Sequence, residues 1–155
     1  MSTMKSINFD TGLKTYAING DEKNCIAINV SDPNLLSRIE DMQEQIDTLL
    51  TALDNFDKMT PKERADLDTE AKALIDKAFN ADISSHVFGA TSCFAPLRTG
   101  ELFILEFLNA FLPVVEADLD EVMLAISQKS AEKAKKYIDE AKLAETEMPA
   151  EDAAE

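Results

Sequence analysis

The sequence predicts an α+β protein that is mainly α-helical, with a small antiparallel β-meander at the N-terminus packed on an assembly of about four helices. Three observations support this. Apolar residues alternate at period two up to residue 30, recur at spacings of three and four after residue 32, and form a dense aromatic block near the middle. The chain has 155 residues. This length suits a single domain, predicted here at 1–144, followed by a disordered acidic tail at 145–155.

The β region, residues 5–30, is predicted as three short strands separated by two turns. The first turn is Asp10-Thr11-Gly12, and the second is Asn19-Gly20, a strong signal for a two-residue hairpin. Alternating apolar residues mark the strands: Ile7 and Phe9, then Tyr16 and Ile18, then Ile26, Ile28 and Val30. A sheet this small needs a cover on its apolar face, so we expect helices to pack against it.

Two amphipathic helices, 32–58 and 61–79, are predicted to form an antiparallel hairpin. Asp32 is a suitable N-cap with Pro33 behind it, and Thr60 begins a capping box with Glu63. The first helix has an apolar seam at alternating spacings of four and three: Leu35, Ile39, Met42, Ile46, Leu49, Leu53 and Phe56. The second has a matching face at Leu67, Ala71, Leu74 and Ala78. Packing within the chain is the simpler interpretation of the seam, and a dimeric coiled coil is the alternative.

Residues 80–100 are predicted to be irregular because glycine and proline punctuate them. Helices follow at 101–144. The first of these, 101–112, is apolar nearly all round, which indicates that it is central to the core or covered by a partner. Pro113 is expected to end or kink it. The helix after Pro113 turns Ala- and Lys-rich from Ser127 onward.

Charge and composition disfavour several functions. Asp and Glu number 30 against 15 Lys and Arg, for a formal net charge of −15. Direct nucleic-acid binding and attachment to an anionic membrane both require basic clusters, so neither is expected. The sequence has no span of about 20 apolar residues and no secretory signal, so neither a membrane-spanning helix nor secretion is expected. Its two cysteines are widely separated, which suits a cytosolic chain with free thiols.

Residues capable of catalysis are few, and we expect no enzymatic activity, no metal and no cofactor. His86 is the only histidine. A nucleophilic pair with Cys93 would need an activated thiolate, and the apolar neighbours of Cys93 instead favour a buried structural thiol. Glu101 and Glu106 lie among apolar residues, but Glu101 is interpreted as a helix first-turn residue and Glu106 as solvated. The lysines at 129, 133, 135 and 136 are interpreted as a solvated helix face.

The central block resembles a known family. An N-terminal β region and acidic amphipathic helices lead to Val87-Phe88-Gly89, then Phe94, then a helix reading ELFILEFLNAFLPVVE. This arrangement is similar to the small tail assembly chaperones of long-tailed (siphovirus-type) bacteriophages and prophages of Gram-positive hosts. The resemblance covers roughly residues 5–125 and consists of apolar residues and turns.

The resemblance implies a non-enzymatic protein of the host cytoplasm that binds and solubilises the tape measure protein during tail assembly, with homo-oligomerisation possible. An apolar helix-binding groove is one way to do this. The hypothesis assigns partner binding to six residues: Phe88, Phe94, Leu97, Phe103, Phe107 and Phe111. Two alternatives stay open: a structural component of the tail, and an acidic DNA mimic or anti-repressor, whose binding would weaken steeply with salt.

Overall fold

A computed structural model describes the backbone of residues 4–147 and the side chains of residues 4–144. Its element order is a two-stranded sheet followed by helices, which confirms the predicted fold class. The chain divides into two compact units, Met1–Glu116 and Ala117–Glu155, where the sequence predicted one domain over 1–144. The predicted disordered tail at 145–155 lies almost entirely outside the described backbone.

The sheet is a hairpin of β1 (Leu13–Ile18) and β2 (Asp21–Asn29), paired antiparallel. Its turn is Asn19-Gly20, where both residues have positive φ, 53° and 76°. That conformation matches the right-handed twist of the strands and explains why Asn-Gly was a reliable signal. The alternating pattern was also informative, because Ile26 and Ile28 of β2 and Val30 just after it are buried.

The first of the three predicted strands is not formed, since the described residues before β1 contain no strand. Ile7 and Phe9 alternate as a strand would, but their side chains are 83% and 73% exposed. Without apolar burial, nothing offsets the entropy of ordering such a strand. At the predicted turn that follows, the Gly12 N–H donates to the Asp10 carboxylate at 2.9 Å, and Gly12 has a positive φ of 80°.

The helical hairpin is formed by α1 (Leu35–Ala52) and α2 (Pro61–Phe79), joined by a 3₁₀ segment at Leu53–Lys58. Five members of the predicted seam are buried within the chain: Leu35, Ile39, Met42, Ile46 and Leu49. This supports intramolecular packing over a dimeric coiled coil. The last two members, Leu53 and Phe56, fall in the 3₁₀ segment and are half-buried.

The two helix starts differ in how well the sequence predicted them. α2 begins as expected, with the Glu63 N–H donating to the Thr60 hydroxyl at 3.1 Å. α1 begins later than expected, with Asn34 at the N-cap position. Asp32 instead closes a turn: its carboxylate accepts the Asn34 N–H at 2.9 Å and pairs with Arg38 at 2.8 Å. These two interactions, the backbone one first, lower the pKa of Asp32.

After α2 come a short helix, α3 (Ser84–Val87), within the predicted irregular region, and then α4 (Phe103–Glu147). Pro113 was expected to end or kink the helix, and an end is ruled out because α4 continues through it. Pro113 removes one hydrogen bond to the Asn109 carbonyl. Both residues are exposed, so water can satisfy that carbonyl. Glu101, expected in the first helical turn, precedes α4, and its carboxylate accepts the Leu102 N–H at 3.1 Å.

Candidate functional site: an aromatic row beside two apolar grooves

The candidate site lies within Met1–Glu116 and is built on an aromatic row along the first part of α4. Phe103, Phe107 and Phe111 recur every four residues, so they lie along one side of the helix. Phe107 and Phe111 stack with ring centroids 5.1 Å apart. Phe88, which follows α3, packs edge-on against Phe103 at 4.8 Å and Phe107 at 5.8 Å. These contacts make the row a rigid surface rather than a set of independent side chains.

Phe111 joins this row to the rest of the core. Its ring packs edge-on against Phe79 at 5.3 Å and against Tyr16 of β1 at 5.6 Å. Phe79 is 1% exposed and Phe111 9% exposed. The row therefore runs from a buried end at Phe111 to half-buried residues at Phe107 and Phe103.

Two shallow apolar grooves lie in this part of the chain: one includes Phe107 and Phe111 of the row, and the other includes Leu102, which precedes Phe103 in sequence. The first, here called the hairpin groove, lies between the tip of the β-hairpin and α4 and has a volume of about 210 Å³. Its walls are Tyr16, Ala17, Ile18, Asn19, Ile26, Phe107, Ala110, Phe111 and Val114. The second, the loop groove, has a volume of about 290 Å³ and is lined by Leu53, Phe56, Phe94, Pro96 and Leu102. Both volumes fall below the range of about 300–1,000 Å³ typical of small-molecule sites. Grooves of this size suit a few apolar side chains of another protein.

Polar contacts hold the hairpin and the segment that carries Phe88 in place. Asn24 of β2 donates to the His86 carbonyl and contacts the His86 ring Nδ1, both at 2.9 Å. These two bonds tie the hairpin to α3 and hence to Phe88. The Asp76 carboxylate on α2 accepts the N–H groups of Ile83 and Ser84 at 2.9 and 2.8 Å and the Ser84 hydroxyl at 2.7 Å. Together they fix the short segment that carries Phe88.

A second polar cluster fixes the loop that carries Phe94. Asp68 accepts the Cys93 backbone N–H at 2.8 Å and pairs with Lys72 at 2.9 Å. Burial alone would raise the pKa of Asp68, but the Cys93 N–H and Lys72 outweigh it, so the pKa is lowered. The opposite holds for the Cys93 thiol, whose pKa is strongly raised by burial first and by Asp68 second.

This environment bears on the Cys–His pair considered from the sequence. Cys93 is fully buried, as predicted, and a thiol with a raised pKa stays protonated at neutral pH. His86 has Asn24 as its ring partner. Over residues 4–144, no group of His, Cys, Asp and Glu side chains is arranged to hold a metal ion. In the same part of the chain, no helix is long and apolar enough to cross a membrane.

The six predicted partner-binding residues fall into two groups. Phe88, Phe94 and Phe111 are buried, with 4%, 5% and 9% exposure. Leu97, Phe103 and Phe107 are half-buried. Sequence reasoning did not find Tyr16, Ala110 and Val114 as groove residues, although Val114 is 48% exposed beside Phe111. The pairing of the hairpin with α4 could not be foreseen, since no local pattern encodes it.

Comparisons with protein family models, with curated proteins and with solved structures give no match.

Proposed function

We propose that this chain is a non-enzymatic tail assembly chaperone of a long-tailed bacteriophage or prophage, acting in the host cytoplasm on the tape measure protein. The observation that carries the proposal is the half-buried aromatic row beside two apolar grooves, within a chain of net charge −15. The sequence resemblance of residues 5–125 supplies the biological setting. No cofactor, metal, nucleic acid or membrane takes part in the proposed activity.

The physical basis is helix-in-groove recognition. A long helical partner that has not yet been enclosed by tail tube exposes apolar faces and aggregates. An apolar groove receives the side chains that such a helix presents at spacings of three and four. Phe107 and Val114, separated by two turns of α4, give the hairpin groove a length suited to such a helix. The net charge of −15 keeps the complex soluble and limits association between chaperone copies.

The test is co-expression with the large helical protein encoded beside this chain, followed by measurement of how much of it stays soluble and co-elutes. Val114→Lys places a charge in the hairpin groove. Leu36→Lys is the matched control, because Leu36 on α1 is also 48% exposed but lies outside both grooves. We expect Val114→Lys to weaken binding about tenfold or more, equivalent to about 1.4 kcal/mol. Leu36→Lys should leave it unchanged.

Two results would contradict the proposal. If the large protein stays insoluble beside the wild-type chain, the chaperone function is wrong. If both lysine variants behave alike, the hairpin groove is not the binding surface. Hydrogen exchange with and without the partner gives a second readout, and unchanged protection over residues 88–115 would count against both grooves.

The acidic DNA-mimic function is favoured by one observation, the exposed carboxylates of α1 at Glu40, Asp41, Glu44 and Asp47. Salt separates the two functions. From about 0.1 M to about 1 M salt the Debye length falls from about 10 Å to about 3 Å, which screens charge-driven binding but not apolar burial. Binding that collapses over this range would indicate a DNA mimic. A structural tail component would be recovered in purified particles, whereas a chaperone would be absent from them.

A further inference from the structure

The unit Ala117–Glu155 contains a long exposed helical surface that the proposed function does not use. Every side chain of α4 from Met123 to Ala144 is exposed, so none of them packs in a core. At 1.5 Å per residue this segment is about 33 Å long. Most helical stability in proteins comes from packing of an apolar face against other structure, so a partner that covers one face of this segment would stabilise it.

One face of this segment is suitable for burial. Residues at spacings of three, four and seven fall on one side of the helix, and here they are either apolar or small: Met123, Ile126, Ser130, Tyr137, Ala141 and Ala144. Gln128, Lys135 and Asp139 lie on the opposite side. The face therefore has bulky residues at 123, 126 and 137, and small residues at 130, 141 and 144.

The order of bulky and small residues along this face favours packing against an antiparallel copy of the same helix, because reversing the helix places small residues opposite bulky ones. When two copies run antiparallel and cross near Lys133 and Ala134, Met123 lies opposite Ala144 of the second copy, Ile126 opposite Ala141, and Ser130 opposite Tyr137. Each bulky side chain then meets a small one, which permits close packing. A parallel pair in register would set Tyr137 against Tyr137 and Ala141 against Ala141, leaving both clashes and gaps.

Charge also favours this segment as the place where two copies meet. The chain carries −15 overall, so most contacts between copies bring negative surfaces together. Residues 127–144 are instead net positive, with five lysines and three acidic residues. In the antiparallel arrangement Lys129 lies beside Glu140 of the second copy, twice by symmetry. Lys133 lies near Lys133 of the second copy at the two-fold axis. This like-charge pair is unfavourable.

We propose that α4 residues Met123–Ala144 form a homodimer contact with a second copy of this chain, in an antiparallel arrangement centred near Lys133 and Ala134. The contact is at the low end of specific interfaces, below about 1,200 Å² of buried surface. We therefore expect a reversible dimer with a dissociation constant in the micromolar range. This proposal is independent of whether the tape measure protein is the partner of the grooves.

Analytical ultracentrifugation of the full chain up to several hundred micromolar tests the dimer. Ile126→Glu should weaken dimerisation at least tenfold. Gln128→Glu is the matched control, since it adds the same charge on the opposite side and should change the constant less than about twofold. Lys133→Ala should tighten the dimer about twofold to fivefold by removing the like-charge pair. All three positions are exposed in a single chain, so none of these changes should alter folding.

Disulfide cross-linking tests the direction of the helices. In a Cys25→Ser background, where the remaining Cys93 is buried, Ala134→Cys should form a dimer under mild oxidation because the two residues meet near the axis. Ile126→Cys should not, since its copies lie about 20 Å apart along the helix, far beyond the Cα separation of about 7 Å that a disulfide allows. Cross-linking by Ile126→Cys would indicate a parallel pair in register, where Ala134→Cys would cross-link too, and would overturn the antiparallel arrangement. A chain that sediments as a monomer at every concentration would overturn the proposal.

Discussion

Asp76 is predicted to be the polar residue on which the aromatic row most depends. Its carboxylate accepts three hydrogen bonds, from the N–H groups of Ile83 and Ser84 and from the Ser84 hydroxyl. Ile83 is fully buried and Ser84 is 9% exposed, so water cannot easily replace the carboxylate. A hydrogen bond to a charged group contributes about 1.5–3 kcal/mol, and a buried donor left unsatisfied costs about 1–3 kcal/mol. Because these terms overlap, we expect Asp76→Ala to lower the free energy of unfolding by about 3–4 kcal/mol.

The assay is urea unfolding monitored by circular dichroism, with two comparison variants. Ser84→Ala removes only one of the three bonds and should cost about 1 kcal/mol. Asp82→Ala is the control for removing a carboxylate in the same segment. Among the described residues, the Asp82 carboxylate accepts only the Ser85 hydroxyl, at 2.7 Å on the exposed surface, so we expect a change below about 0.5 kcal/mol. If Asp76→Ala costs no more than Asp82→Ala, the reasoning about buried donors is refuted.

Three further predictions concern other parts of the fold. Asp68→Asn should cost about 1–2 kcal/mol at neutral pH. The pKa of Asp68 is lowered in the folded state. Its contribution to the free energy of unfolding is therefore present above the pKa that Asp68 has in the unfolded state, and it is lost as the pH falls through the pKa of the folded state. The difference in free energy of unfolding between wild type and Asp68→Asn should therefore shrink below about pH 4. A difference that stays constant with pH would argue against this role of the ionised carboxylate. Gly12→Ala should cost about 1–3 kcal/mol in thermal unfolding, since Gly12 has φ of +80° and a Cβ there would lie 2.8 Å from the Asn29 side chain. Pro113→Ala should raise the melting temperature by restoring the hydrogen bond to the Asn109 carbonyl, and an unchanged or lower value would show that the proline is accommodated without cost.

The parts of the fold that could be predicted are those with a local physical cause. α2 was placed at 61–79 because a capping box fixes its start, and it ends where Asn80 adopts a left-handed conformation with φ of 50°. The Asn19-Gly20 turn likewise depends on two adjacent residues. The strand predicted at Ile7 and Phe9 failed because alternation shows only which side chains could share a face. It does not show whether a neighbouring surface covers them.

The candidate site was only partly predictable for the same reason. Its aromatic residues stood out in the sequence, and the spacing of Phe103, Phe107 and Phe111 indicated that they lie on one side of α4. The opposite wall of the hairpin groove comes from the hairpin and includes Tyr16, about ninety residues earlier in the chain, a distance that no helix or strand period spans. The contact between Asn24 and His86 that holds this wall is equally non-local.

The division of the aromatic block into buried and half-buried residues makes a final prediction about folding and binding. Phe111 is 9% exposed and contacts Phe79, Phe107 and Tyr16, so Phe111→Ala should cost about 3–5 kcal/mol of stability. Phe103 is half-buried with one close ring neighbour, and Phe103→Ala should cost about 1–2 kcal/mol.

If a partner helix binds along this row, the ranking should reverse in a binding assay at temperatures where both variants are folded. Phe103→Ala and Phe107→Ala remove surface that a partner reaches, whereas Phe111→Ala removes mainly core packing. Unfolding measured by urea and binding measured by calorimetry should therefore order these variants differently. The same order in both assays would mean that the aromatic residues serve the core alone, and the partner-binding surface would then have to lie elsewhere on the chain.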